Sequence, residues 1–140
     1  MEPEAALIAR LRAHFADRRD VAFAYLFGSR AHDTARSDSD LDVAVGVREG
    51  VDHATVKLDL LERLMALSGL ERVDLVVLDR APLALRFIVL KEGIALKGET
   101  SPERAAFQTR TLKEYWDWVP KLRVHEDALR RRIDDGQFGA

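Results

Sequence analysis

The sequence predicts an α+β (α/β) fold, in which a small mixed β-sheet carries flanking helices and is followed by a C-terminal helical extension. Short apolar or valine-rich runs alternate with longer segments whose apolar residues recur every three or four positions. The length of 140 residues suits one domain, and no linker-like segment divides it. We therefore expect a single domain over residues 1–140, with a core at about 20–98 and a helical extension at about 101–135.

The first third of the chain predicts a helix, a strand, a polar loop and a second strand. Helical spacing of apolar residues runs from Glu4 to about Arg18. The apolar and aromatic run Val21–Ser29 is typical of a buried strand that ends near its glycine. Residues 30–39 are polar and indicate a turn and a loop. The alternating, valine-rich segment Asp40–Val47 then predicts the second strand.

The middle of the chain predicts one helix and one strand. An apolar stripe over Asp52–Leu67 indicates a helix, with Asp52 as its N-cap. Gly69 follows the stripe and is expected to end this helix. The run Arg72–Leu78 predicts the third strand.

The last part of the chain is mainly helical in pattern. A helix is expected at Ala81–Lys91, with Pro82 in its first turn. Ile94–Leu96 suits a short edge strand. A helical composition follows from Ser101 to about Ile133, and Pro120 is expected to kink it or to divide it into two helices.

Composition excludes several classes of function. There is no cysteine, which removes thiol catalysis, Cys-ligated zinc and disulfides. The 22 basic and 24 acidic residues give a net charge of -2, which argues against broad electrostatic binding of nucleic acid. No apolar run approaches the ~18–20 residues that span a bilayer, and the N-terminus lacks the pattern of a signal peptide. We expect a cytoplasmic protein without a membrane partner.

Three aspartates are the candidate catalytic and metal-binding residues. Asp40 and Asp42 are two positions apart on a predicted strand, so their side chains share one face. Asp74 lies within the third strand, on the face opposite its apolar neighbours. If the strands are adjacent, the three carboxylates meet, and two charges ~4 Å apart repel by ~4 kcal/mol at an effective dielectric of 20. Mg²⁺ would neutralise them, and two ions could clamp an in-line displacement.

The dipeptide Gly28-Ser29 supplies a candidate phosphate site at the end of the first strand. Glycine has no Cβ, so a phosphate can approach the backbone closely, and the serine hydroxyl adds a donor. Taken alone, a Gly-Ser pair is usually a plain turn and an Asp-x-Asp pair a solvated loop. Together with Asp74 in an apolar strand, where an unpaired aspartate is costly, they favour phosphoryl or nucleotidyl transfer from ATP or another nucleoside triphosphate.

The segment LFGSRAHDTARSDSDLDVAV, Leu26–Val45, resembles the signature of the DNA polymerase β-like nucleotidyltransferases: Gly-Ser, ten residues, then Asp-x-Asp. The short chain, Arg30-Ala31 and the run Ser37–Asp40 are similar to the minimal nucleotidyltransferase (MNT) branch. The sequence departs from many members at His32-Asp33, where they carry Arg-Gly. This departure bears on the phosphate contacts and not on the carboxylates.

The resemblance implies a role for each of these residues. Gly28 and Ser29 would hold the triphosphate, and Asp40 and Asp42 would bind Mg²⁺. Asp74 would be a third metal ligand or the base for the acceptor hydroxyl.

Three further polar residues of the same segment are candidates for the site. Arg30 and Arg36 could contact phosphates, and for Arg36 a solvated salt bridge is an equal alternative. Asp38 could be another ligand, or cap the loop or pair with one of these arginines.

The same resemblance implies a biological role, because MNT proteins of this size pair with HEPN-type ribonuclease toxins. It implies an antitoxin that transfers AMP from ATP to a tyrosine near the toxin's active site. Two alternatives remain open. One is transfer to a small hydroxylated molecule such as an aminoglycoside, and the other is a non-catalytic module that masks the toxin.

Aromatic residues in the last helix form a candidate toxin-docking surface. Tyr115, Trp116 and Trp118 fall within four positions, and neighbouring residues on a helix differ in direction by ~100°. They cannot all face one core, so we expect at least one to be exposed or covered by another chain.

Overall fold

The computed structural model describes residues 4–31 and 40–134, and in the last helix it describes the side chains up to residue 118 and those of residues 127–133. His32, Asp33, Arg36 and Asp38 lie outside the described residues. The helices are α1 Glu4–Ala16, α2 His53–Ser68, α3 Leu83–Glu92 and α4 Pro102–Asp134. The strands are β1 Val21–Phe27, β2 Leu41–Val47, β3 Val73–Val77 and β4 Ile94–Lys97.

The four strands form one mixed sheet in the order β3-β2-β1-β4. β1 is antiparallel to β2 and to β4, whereas β2 and β3 are parallel. This confirms the predicted α+β class, and β4 is an edge strand as expected. None of the helices in the described ranges has both the length and the apolar character needed to cross a bilayer.

The sheet separates two apolar layers, and strand alternation decides which residues enter each layer. α1 and α2 cover one face, where they pack on Leu41, Val43 and Leu75. α3 and α4 cover the other face, where they pack on Ala44 and Val76. Because neighbouring strand residues point to opposite faces, the aspartates of β2 and β3 lie on the α3/α4 face.

Local side-chain and backbone bonds fix the helix ends where the sequence predicted them. The Asp52 carboxylate accepts a hydrogen bond from the Thr55 amide at 3.3 Å, which caps α2. Gly69 ends α2 with φ +71°, a left-handed conformation that glycine adopts without strain. Ser101 Oγ accepts from the Arg104 amide at 3.1 Å and caps α4.

Of the two outcomes expected at Pro120, the division into two helices does not occur, because α4 is one helix of 33 residues, and the kink stays a prediction. A proline within a helix costs about 3 kcal/mol. Buried residues on both sides of it, Phe107, Leu129 and Ile133, belong to the same apolar layer as α3. Each large apolar side chain contributes about 1.5–3 kcal/mol on burial, so their packing outweighs the cost of one proline.

Candidate active site

Strand pairing brings the three predicted carboxylates together. Asp42 of β2 and Asp74 of β3 are direct partners in the parallel ladder, so both side chains lie on the same face. Asp40 comes just before β2, in electrostatic contact with both other aspartates. On the other side of β2, Asp42 pairs with Phe27, the last residue of β1. The strand adjacency that the sequence argument required is therefore present.

Burial and mutual repulsion change the protonation of the pair formed by Asp42 and Asp74. Asp42 is 2% exposed, and its pKa is raised to about 8, first by burial and then by the neighbouring charge of Asp74. Burial and the Asp40 charge also raise the pKa of Asp74. A protonated Asp42 donates a hydrogen bond to Asp74. At neutral pH the pair therefore holds a proton when no cation is bound.

Two carboxylate oxygens at this site are buried without a hydrogen-bond partner: Asp40 Oδ2 and Asp74 Oδ2. Such acceptors are costly when no donor reaches them, and they suit a hard cation such as Mg²⁺. Within the described part of the chain, however, no three His, Cys, Asp or Glu side chains stand as a ready-made metal site. Asp40 Oδ1 is 3.3 Å from Arg72 Nε, and Asp42 shares its proton with Asp74, so both carboxylates have a partner within the protein.

Gly28 lies directly against the Asp42 carboxylate. A Cβ at position 28 would be 2.2 Å from Asp42 Oδ2, closer than any allowed contact. Gly28 also has φ +75°, which disfavours other residues. It opens a 3₁₀ turn, Gly28–Ala31, in which Ser29 is half-buried. The turn that the sequence marked as a phosphate site thus adjoins the carboxylates, while phosphate binding by Gly28 and Ser29 stays a prediction.

Arg30 is buried at the same turn and faces the protein interior. Its Nη1 atom is 2.9 Å from Glu4 Oε1, in an ion pair that ties the turn to α1. The positive charge of Arg30 lowers the pKa of Asp42, against the effects of burial and repulsion. The geometry therefore gives Arg30 an electrostatic and anchoring role, and its contact with nucleotide stays a prediction.

The sequence argument missed Glu4 and Arg72 as neighbours of the site. Arg72 is two positions before Asp74, and the period of two in a strand could have placed it on the carboxylate face. Glu4 lies 26 positions from Arg30, on another element, and no local pattern connects the two.

Of the three aromatic residues singled out in α4, Tyr115 packs against α3, and Trp116 and Trp118 are exposed. Tyr115 stacks on Phe87 of α3, with ring centroids 3.7 Å apart and planes 2° from parallel. Trp116 is 71% exposed and Trp118 is 51% exposed. The expectation that at least one aromatic residue faces outward is confirmed.

Comparison with known proteins was made at the levels of family, curated sequence and solved structure. The model of the family described as "Polymerase beta, Nucleotidyltransferase" matches residues 10–101, a range that contains the whole sheet. A search of curated proteins finds no match.

Several solved structures share the fold. The chain is 26% identical, with a TM-score of 0.65, to a chain of a toxin–antitoxin crystal structure with AMP-PNP, covering 91% of this chain and 99% of that one. It is 25% identical, with a TM-score of 0.58, to a chain of the complex between the tri-AMPylated HEPN toxin of Shewanella oneidensis and an MNT antitoxin, with coverages of 90% and 95%. A chain of the MntA–HepT toxin–antitoxin structure, at 24% identity, TM-score 0.58 and coverages of 90% and 96%, shows the same fold.

Proposed function

The chain belongs to the polymerase β nucleotidyltransferase family, and on this basis we propose that it transfers AMP from ATP to a hydroxyl group of a HEPN ribonuclease toxin and so acts as its antitoxin. The acceptor in this proposal is a tyrosine. The observation that carries the proposal is the in-register pair of Asp42 and Asp74, set against Gly28. The likeness to a toxin–antitoxin complex with AMP-PNP and to one with a tri-AMPylated HEPN toxin supports the donor and the partner.

Asp40 and Asp42 are the residues that would hold Mg²⁺, with Asp74 as a third ligand or as the base. The unpartnered oxygens of Asp40 and Asp74 fit this role, because they lack donors in a buried setting. Bound Mg²⁺ would offset the charge of both the carboxylates and the triphosphate. Asp42 must then give up its proton, and Asp40 must exchange the Arg72 guanidinium for the metal.

The proposed reaction is an in-line displacement at the α-phosphorus of ATP. The acceptor oxygen forms a bond to the α-phosphorus, and the bond from that phosphorus to the oxygen bridging to the β-phosphate breaks. Pyrophosphate leaves with the electron pair of the broken bond. The hydroxyl proton passes to the Asp74 carboxylate or to water. Gly28 and Ser29 would hold the triphosphate through a backbone amide and the serine hydroxyl, so that the leaving group stays in line.

The exposed tryptophans of α4 are the proposed contact with the toxin. Tyr115 stacks on Phe87, and Trp116 meets Tyr115 edge to face with ring centroids 5.7 Å apart. Trp116 and Trp118 are both exposed. Tryptophan is enriched among residues that dominate the energy of protein interfaces. The two tryptophans and Tyr115 beneath them form a surface on the helical extension. This surface lies outside residues 10–101, the range that matches the family.

The proposal is tested by incubating ATP labelled at the α-phosphate with this protein and its cognate HEPN partner. We expect the partner to become labelled, and the double substitution Asp40→Ala, Asp42→Ala to abolish labelling while the fold is kept. Asp17→Ala is the control, because Asp17 is an exposed carboxylate that follows α1 and lies on none of the strands that carry the site. Undiminished labelling by the double variant would overturn the mechanism.

The same reagents separate the two alternatives. If the double variant still neutralises the toxin at equal dose, the protein acts by masking. If label passes to an aminoglycoside or another small hydroxylated compound and not to the toxin, the acceptor is a small molecule. Either result would replace the proposed antitoxin reaction.

A further inference from the structure

A cavity of about 470 Å³ lies near the end of β3 that is remote from the carboxylates. We call it the β3-edge cavity, because β3 is the outermost strand on its side of the sheet. Val77 of β3, Lys57 of α2 and Leu85 of α3 line it, so it lies between the first turns of the two helices. Leu75 also lines the cavity and directly follows Asp74, but neighbouring strand residues point to opposite faces of the sheet, and none of the three carboxylates is among the lining residues.

Positive side chains from three different elements line the β3-edge cavity: Lys57, Arg80 and Arg132. Lys57 and Arg80 are exposed, and neither forms an ion pair within residues 4–31 and 40–134. His53 also lines the cavity, and its Nδ1 atom is buried without a hydrogen-bond partner. Lys57 and Arg80 share the cavity without an ion pair to either of them in these ranges, so their charges repel each other, and a bound anion would relieve that repulsion.

Acidic residues close to the cavity in the chain have other partners, and Asp59, two residues after Lys57, pairs with Arg18 and Arg63. Asp52 precedes His53, but its carboxylate caps α2 by accepting from Thr55. Asp79 precedes Arg80, and its Oδ1 accepts from the Val47 amide at 3.3 Å. Among the described residues, none of those lining the cavity is acidic. The positive charges of Lys57 and Arg80 are therefore available to a ligand in the cavity.

Apolar residues form much of the remaining cavity wall, and they favour a ligand that has an apolar part as well as an anionic group. Pro82 is exposed and Leu85 is buried at the start of α3, and both line the cavity with Leu75 of β3. A free inorganic anion gains nothing from such a wall, whereas the base or sugar of a nucleotide can lie against it. The volume falls within the ~300–1,000 Å³ range of small-molecule sites.

We propose that the β3-edge cavity binds a phosphorylated small molecule of the mononucleotide class, with its phosphate at Lys57 and Arg80 and its apolar part against Pro82 and Leu85. The site is independent of the transfer reaction, because none of its residues belongs to the carboxylate cluster or to the Gly28–Ala31 turn.

The test is a titration of the full-length protein with AMP, followed by NMR chemical shifts in the presence of EDTA. AMP should shift the signals of residues around Lys57 and Arg80 separately from those around Ser29. The variant Lys57→Ala, Arg80→Ala should bind AMP at this cavity at least about tenfold more weakly, since it removes both charged donors to the phosphate.

The matched control is the variant Arg63→Ala, Lys113→Ala, which removes the same charge from exposed positions that do not line the cavity. It should bind AMP at the β3-edge cavity like the unaltered protein. Equal weakening in both double variants would show that only net charge matters and would overturn the site.

Two further probes test the ligand class. Inorganic phosphate alone should bind more weakly than AMP, and equal affinity would contradict the role of the apolar wall. A short RNA that shifts these signals where AMP does not would overturn the mononucleotide proposal in favour of RNA. Shifts confined to the surroundings of Ser29 and the carboxylates would show that the cavity takes no nucleotide.

Discussion

The contact between Gly28 and Asp42 makes the substitution Gly28→Ala a sharp test of the site. A Cβ at position 28 would be 2.2 Å from Asp42 Oδ2, so the carboxylate must retreat by about 1 Å to reach an ordinary contact. A misplacement of about 1 Å in a catalytic group can cost about 10²-fold in rate. The left-handed conformation, φ +75°, adds about 1–2 kcal/mol of strain to the folded state.

Gly69→Ala is the matched control for this experiment. Gly69 has φ +71° and open space around its Cα, so alanine there carries the same strain without touching the carboxylates. Urea denaturation should show a loss of about 1–2 kcal/mol in Gly69→Ala and a loss at least as large in Gly28→Ala. The AMP-transfer rate to the HEPN partner should fall about 100-fold only in Gly28→Ala. Equal transfer rates in the two variants would refute the claim that Gly28 positions Asp42 for catalysis.

Three other predictions address the charges and the exposed surface. The folded-state pKa of Asp42 is about 8, whereas its ordinary value is 3.8. This group's contribution to stability is therefore lost as the pH rises from about 4 to about 8. Asp42→Asn should therefore flatten the pH dependence of urea unfolding in EDTA, and an unchanged profile would contradict the assigned protonation. Glu4→Gln should lower the free energy of unfolding by about 1 kcal/mol, since it leaves Arg30 without its 2.9 Å ion pair, and an unchanged urea midpoint would argue against that pair. Trp116→Ala with Trp118→Ala should weaken toxin binding at least tenfold by calorimetry, whereas Leu58→Ala, an equally exposed residue on α2, should not.

Much of the site could be predicted because strand geometry is a local property. The period of two along a strand placed Asp40 and Asp42 on one face and Asp74 opposite its apolar neighbours. The pairing of Asp42 with Asp74 depends on which strands are adjacent in the sheet, and α2 lies between these two strands in the chain. The residue spacing alone could therefore predict that the carboxylates meet only if β2 and β3 are neighbours. The order of the strands along the chain limits their possible order in the sheet but does not determine it.

Contacts between distant elements could not be predicted from the sequence. The Arg30–Glu4 pair joins residues on the turn after β1 and on α1, and neither residue type is unusual in its own segment. The continuity of α4 through Pro120 has a related cause, because burial of Leu129 and Ile133 by tertiary packing outweighs a local preference. The β3-edge cavity likewise depends on how α2, α3 and α4 converge, which no single segment encodes.

Calorimetric titration of the protein with Mg²⁺–ATP tests the central claim most directly, when it is carried out at pH 7 in buffers that differ in ionisation enthalpy. With the Asp42 pKa near 8, the account predicts the release of close to one proton for each Mg²⁺–ATP bound. Asp42→Asn should release none and bind at least tenfold more weakly, while Asp17→Asn should behave like the unaltered protein. Binding by Asp42→Asn that is as tight as that of the unaltered protein, or binding by the unaltered protein without proton release, would contradict a metal–nucleotide site built on Asp42.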